Sequence, residues 1–190
     1  MAFAAPENLL YWNMKLLVTL LLLGIFPGGG SWAPLQKHVK DYSINDTLFI
    51  ENEPSILKSV GDLKKYYVET YEDGETVYML SKDRSECLKM IYSPGNSINS
   101  FAEFEVLSNH APRKLFFQSK FASFATESGV RLGMPDSAFF RIKGKPQNTR
   151  KQADGTVVYE YRSADDVLYY FRAWIKNGVV QKFRFGLENP

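Results

Sequence analysis

The chain has 190 residues, 45% apolar and 23% charged, with 23 Lys and Arg against 21 Asp and Glu. This is ordinary globular usage and excludes disordered, collagen-like and coiled-coil classes. The lone Cys87 cannot close an intramolecular disulfide, and with only His38 and His110 beside it a Cys/His zinc cluster has too few ligands.

Residues 1–33 read as an address. Lys15 precedes Leu16 to Phe26, an apolar run of 11 residues interrupted by Thr19 and Gly24, and small residues follow at Ser31 and Ala33. A membrane span needs about 20 apolar residues, so this layout predicts a secretory signal peptide, with Met14 as the true start. Cleavage after Ala33 would leave Pro34 first, and a cut near Gly30 is the alternative. No cysteine follows the run, so no lipid-attachment box is present. The expected mature protein is soluble, secreted or periplasmic, and without stable membrane insertion. Residues 34–45 read as a tether.

Residues 46–107 form a first α/β unit. Pro54, Ile56, Leu57 and Val60 predict a short helix closed by Gly61, since proline suits a first turn and glycine a left-handed terminus. Asp73-Gly74 then opens a strand running through Tyr78, and further strands are predicted at Leu88–Tyr92 and Phe101–Leu107. Cys87 has no basic neighbour to lower its pKa and reads as packing. Glu103 and Glu105 share one strand face. In residues 108–128, the segment Lys114 to Thr126, with Phe116, Phe117, Phe121 and Phe124, predicts a linking helix.

Residues 129–190 repeat these signals. Pro135, Ala138, Phe139 and Ile142 predict a helix closed by Gly144-Lys145-Pro146, and Asp154-Gly155 leads into a strand through Tyr159. Strands at Leu168–Ile175 and Val179–Phe185 are joined by Asn177-Gly178, the signature of a type I′ hairpin. The expected fold is α+β: tandem units of a helix plus a three- or four-stranded antiparallel meander, with the helices packed on one face of the sheet.

The run Gly129-Val130-Arg131-Leu132-Gly133-Met134-Pro135, then Gly144-Lys145-Pro146, then a tyrosine-bearing strand and a final Phe-x-Phe strand, resembles the repeat of the β-lactamase-inhibitor-protein-like fold. The SmpA/OmlA small lipoproteins are similar. The likeness covers residues 129 to 186 clearly and 46 to 107 loosely. It implies tandem repeats with one sheet face open to proteins, and no catalysis. This chain lacks the lipidation cysteine of the SmpA/OmlA pattern and the paired cysteines of β-lactamase-inhibitor protein, so neither barrel assembly nor β-lactamase carries over as a role or target.

Neither histidine is placed to orient a catalytic base: His38 falls in the tether and His110 between the units. Gly28-Gly29-Gly30 lies inside the leader, and no phosphate-cradling G-x-x-x-x-G-K-[ST] run exists. Asn45-Asp46-Thr47 fits a glycosylation sequon, which matters only in a eukaryote. No cofactor, metal or enzymatic role is expected.

Charge is divided unequally. Asp46–Leu107 carries 6 basic and 12 acidic residues, a net of −6, and Ala111–Pro190 carries 14 and 7, a net of +7. Such asymmetry is a cue to association. Strand alternation places Tyr169, Phe171, Ala173, Ile175, Val179, Phe183 and Phe185 toward the helices. The other face then carries Glu160, Arg162, Tyr170, Arg172, Trp174, Lys182 and Arg184. Aromatics among arginines are the composition of protein-interface hot spots, so Tyr170 and Trp174 are candidate anchors, with Arg162, Arg172, Lys182 and Arg184 as polar contacts. The expected function is a non-enzymatic module binding an unidentified protein. Export argues against nucleic acid as the ligand of this face. A ligand cleft between the units, serving an enzyme or carrier, is the second reading. Salt-dependent self-association, acidic unit to basic unit, is the third.

Overall fold

A computed structural model of the chain describes residues 39–93, 95–109, 115–166 and 168–188; the leader, His38 and His110 lie outside them. Helix α1 (Glu53–Val60) is held at its start by the Asn52 side chain, which accepts from the Ser55 N–H at 3.0 Å, and has Pro54 in its first turn. Helix α2 (Asp136–Lys143) follows Pro135. Both end on a glycine with positive φ, Gly61 at 80° and Gly144 at 74°, whose N–H donates to the carbonyl four residues back. The two caps match because the sequence repeats the same stop signal.

Each helix leads into a four-stranded antiparallel meander. The first comprises β3 (Tyr67–Thr70), β4 (Gly74–Leu80), β5 (Glu86–Tyr92) and β6 (Phe101–Ser108), after a small hairpin of β1 (Ser43–Ile44) and β2 (Leu48–Phe49). The second comprises β8 (Asn148–Lys151), β9 (Val157–Arg162), β10 (Tyr169–Lys176) and β11 (Val179–Leu187). The order across the sheet is β3-β4-β5-β6-β11-β10-β9-β8. The last strands of the two meanders therefore pair at the centre, from Leu107 with Lys182 to Glu103 with Gly186. Asn177 and Gly178 have φ of 53° and 73°, as a type I′ turn requires.

The helices cover one face. Ile56 and Phe139 bury against Val77, Met79, Leu88, Met90, Phe104 and Val106 of the first meander and Tyr161, Phe171, Phe183 and Phe185 of the second. Phe139 meets Tyr161 edge-on at 5.9 Å, and Phe171 stacks between Phe183 and Phe185 at 6.1 and 6.0 Å. Burying side chains of this size stabilises by roughly 1.5–3 kcal/mol each, which makes this face the core.

Four sequence expectations are corrected. Gln181 is a β-bulge, because Ile175 pairs with Val180 and Trp174 with Lys182, so Val180 rather than Val179 turns into the core. The two Asp-Gly turns are not equivalent either: Tyr78 faces Lys89 on the helix-free side, whereas Tyr159 packs on Phe140 at 4.9 Å on the core side. Gly74 stands one residue before the last core-side pair, Glu69 with Glu75, whereas Gly155 stands two before its counterpart, Lys151 with Val157, and a shift of one residue exchanges the faces of a strand.

The linking helix is absent from the described part of its segment. Phe117–Gln118 instead forms β7, parallel to β4, and the Phe124 and Ala125 N–H groups donate to the Glu86 carboxylate at 2.7 Å and to Asn45 Oδ1 at 3.0 Å. Distant partners claim the donors that a helix would have used. Residues 39–45, expected as tether, are built in: Asp41 is fully buried and Ser43–Ile44 is strand.

Candidate binding face

The helix-free face is laid out in rows by strand register. One row runs Asn148, Glu160, Arg172, Arg184, Glu105, Lys89, Tyr78. The next runs Arg162, Tyr170, Gly186, Glu103, Ile91, Thr76, and a third runs Arg150, Val158, Trp174, Lys182, Leu107, Cys87. All six expected contact residues, Arg162, Tyr170, Arg172, Trp174, Lys182 and Arg184, thus share this face.

Their surroundings were not legible in the second unit alone. Arg184 donates to Glu103 at 2.6 Å, to the Tyr170 hydroxyl at 2.7 Å and to Asp73 at 2.9 Å, while Lys89 takes the other oxygen of Asp73. Lys182 lies 3.4 Å from Glu105. Arg162 and Arg172 share Glu160 and Glu188 at 2.6 to 3.1 Å. The cations Lys89, Arg162, Arg172, Lys182 and Arg184 are therefore matched by Asp73, Glu103, Glu105, Glu160 and Glu188, so the basic face expected from sequence is neutralised. Three of those carboxylates come from the acidic unit, which assigns part of the charge asymmetry to contacts within the molecule.

Asp73 is the informative member. Strands are spaced about 4.8 Å apart, so β4 and β11, three places apart, are too far for a flat sheet to bring Asp73 to Arg184. The β3–β4 turn lies over the middle of the face, and Lys89, Glu105 and Tyr170 are buried beneath it or beside it. Burial opposes the charge on Asp73, but the hydrogen bond from Lys89 and the Arg184 charge outweigh it and hold its carboxyl below the usual range. Arg184 is shifted upward: burial works against its charge, and Tyr170, Glu103 and Asp73 more than offset it.

Tyr170 is corrected as an anchor. It is 1% exposed, covered by Arg172 and Arg162 with their charged groups 4.6 and 5.6 Å from the ring centre, and its hydroxyl bonds Glu103. Burial pushes its pKa upward, so it stays a neutral donor. It holds the face together and offers no free contact area.

Trp174 differs. It is half-buried with the Lys182 ammonium 3.9 Å from its ring centre, and beside it opens a groove of about 470 Å³ lined by Trp174, Arg172, Glu160, Val158, Arg150 and Asn148. Its lining joins Trp174 and Val158 to charged and polar side chains that could orient a ligand. The sequon residue Asn45 is engaged by Ser123 and Ala125. Among the described residues, no three His, Cys, Asp or Glu side chains cluster to hold a metal, and no helix is long and apolar enough to cross a membrane. Comparisons with protein-family models, curated proteins and solved structures gave no match.

Proposed function

We propose that this chain is an exported, non-enzymatic protein-binding module that acts through the Trp174 end of its helix-free sheet face. The observation that carries the reading is the groove beside Trp174: it lies on β8, β9 and β10, away from Asp73 and its partners Lys89 and Arg184, and it joins a large aromatic to Arg172, the pairing typical of interface hot spots. Export is supported by the leader pattern of residues 1–33. Kinship with the β-lactamase-inhibitor-like repeats belongs to the same proposal, supported by the helix-then-meander order found twice. The cleft reading has less behind it, because β6 and β11 pair where a cleft between the units would lie.

The test is a pull-down from native extract with the purified wild type beside Trp174→Ala, both checked for folding. A single protein retained by the wild type and weakened by about 2 kcal/mol or more in the variant supports the groove. Equal retention by both, or no specific retention by well-folded wild type, overturns it.

A further inference from the structure

The helix-free face pairs most of its charges internally, whereas exposed charges of opposite sign without an ion-pair partner among the described residues stand at the two ends of the sheet. At one end is β3, an edge strand that pairs only with β4, with exposed Glu69 on it and exposed Glu72 and Glu75 around its turn. At the other is β8, exposed along its whole length and bearing Arg150 and Lys151, with Lys145 just before it. A bare edge presents unpaired N–H and C=O groups to any incoming strand.

We propose that the protein associates head to tail with a second copy of itself, the outer edge of β3 in one molecule pairing with the outer edge of β8 in the next. Three features select this occupant. Arg150 and Lys151 oppose the pairing of β8 with β8, and Glu69, Glu72 and Glu75 complement them when β3 meets β8. The eight strands of the sheet path alternate in direction, so β3 and β8 run oppositely, and a neighbour in the same orientation meets β8 as an ordinary antiparallel strand. The registers also agree: Glu69 pairs with Glu75 and Lys151 with Val157, which places both side chains on the helix-bearing side. Glu69 facing Lys151 across the new pair leaves that side continuous. Lys64 and Lys65, in the short 3-10 turn before β3, then fall beyond Lys151 toward the Asp154 turn rather than against the basic strand. The contact is heterologous and extends a row of molecules unless the accumulated twist closes a ring.

The β8 edge adjoins the Trp174 groove, which Asn148 and Arg150 of the same strand line, but Glu69 and Lys151 lie outside that lining, so reversing their charges tests the edge pairing apart from the groove. Sedimentation velocity on the purified protein, over a concentration series at low and high salt, should show oligomers that dissociate as salt rises. Glu69→Lys and Lys151→Glu should each weaken association by about tenfold. The exchanged double variant Glu69→Lys/Lys151→Glu, and an equal mixture of the two single variants, should restore it. Trp174→Ala should associate like the wild type. A monomer at all concentrations and salts overturns the proposal. So does association unaffected by either reversal, unrestored by the exchange, or lost in Trp174→Ala.

Discussion

Arg172 and Arg184 stand directly opposite one another across β10 and β11, and neither is left with the other's charge. Like charges at such a position are destabilising. Here Glu160 and Glu188 hold Arg172 on one side, and Glu103 and Asp73 hold Arg184 on the other. Glu103→Gln weakens the charge opposite Arg184 and should lower stability by about 1.5–3 kcal/mol. Replacing Arg184 as well, by Leu, should cost less than the sum of the two single changes. A double-mutant cycle in urea reads the difference, and strict additivity would show that the pair is not coupled.

Acid should dismantle the same network. Burial opposes the charges of Asp73 and Glu160, but hydrogen bonds from Lys89 and from Arg162 and Arg172 hold their carboxyls below the ordinary values of 3.8 and 4.5; the Arg162 hydrogen bond does the same for Glu188. Depressed folded-state values mean that the unfolded chain takes up protons first as pH falls. The stabilisation is complete above those ordinary values and is lost as pH drops through the lower folded ones. Urea midpoints measured from neutral pH into this acid range should fall, with a shallower slope in Asp73→Asn. An unchanged slope in that variant would remove Asp73 from the network.

What the sequence disclosed was what local rules encode. The helix caps at Gly61 and Gly144, the Asn177-Gly178 turn and the alternation in β10 each need only neighbours in the chain. The edge strands did not announce themselves, because Asn148-Thr149-Arg150-Lys151 is exposed on both sides and has no alternation to read. The phenylalanines of 116 to 124 carry an apparent helical spacing, yet the backbone donors there are bound by β4, Glu86 and Asn45, none of them local. The face residues were found by parity, but their neutralisation depends on Asp73, which reaches Arg184 across 111 positions of the chain. Composition showed the two charge signs and left open that they meet inside one molecule.

Gly186 marks where the two units close. It pairs with Tyr170 on one side and Glu103 on the other, has φ of 155°, and a β-carbon there would lie 2.3 Å from the Ala102 carbonyl oxygen. The obstacle is backbone, so it cannot swing aside. Gly186→Ala should destabilise by about 1–3 kcal/mol or more. Gly155→Ala, in an open turn at φ of 83°, meets nothing within 4 Å and carries conformational strain alone. Thermal unfolding of the two variants side by side should place Gly186→Ala well below Gly155→Ala, and equal midpoints would contradict the close approach of β6 and β11.

The buried pair of Asp41 and Lys143 ties the segment before β1 to the end of α2. Lys143 Nζ lies 2.5 Å from Asp41 Oδ2 with both side chains fully buried, and Ser128 donates to the same carboxylate through its N–H and hydroxyl. The ammonium also sits 4.0 Å from the centre of the Phe171 ring, inside the core. Burial pulls the Lys143 pKa down, and the Asp41 charge only partly restores it. A buried pair contributes little net stability, but removing one partner leaves an uncompensated charge at a cost of about 3–5 kcal/mol. Asp41→Asn should therefore destabilise by that amount, and Asp41→Asn/Lys143→Met should recover most of it, because the orphaned ammonium is gone. If the double variant is no more stable than Asp41→Asn, the loss lies in the Ser128 hydrogen bonds that pin residues 39–41, and the ion pair is incidental to how this segment is held.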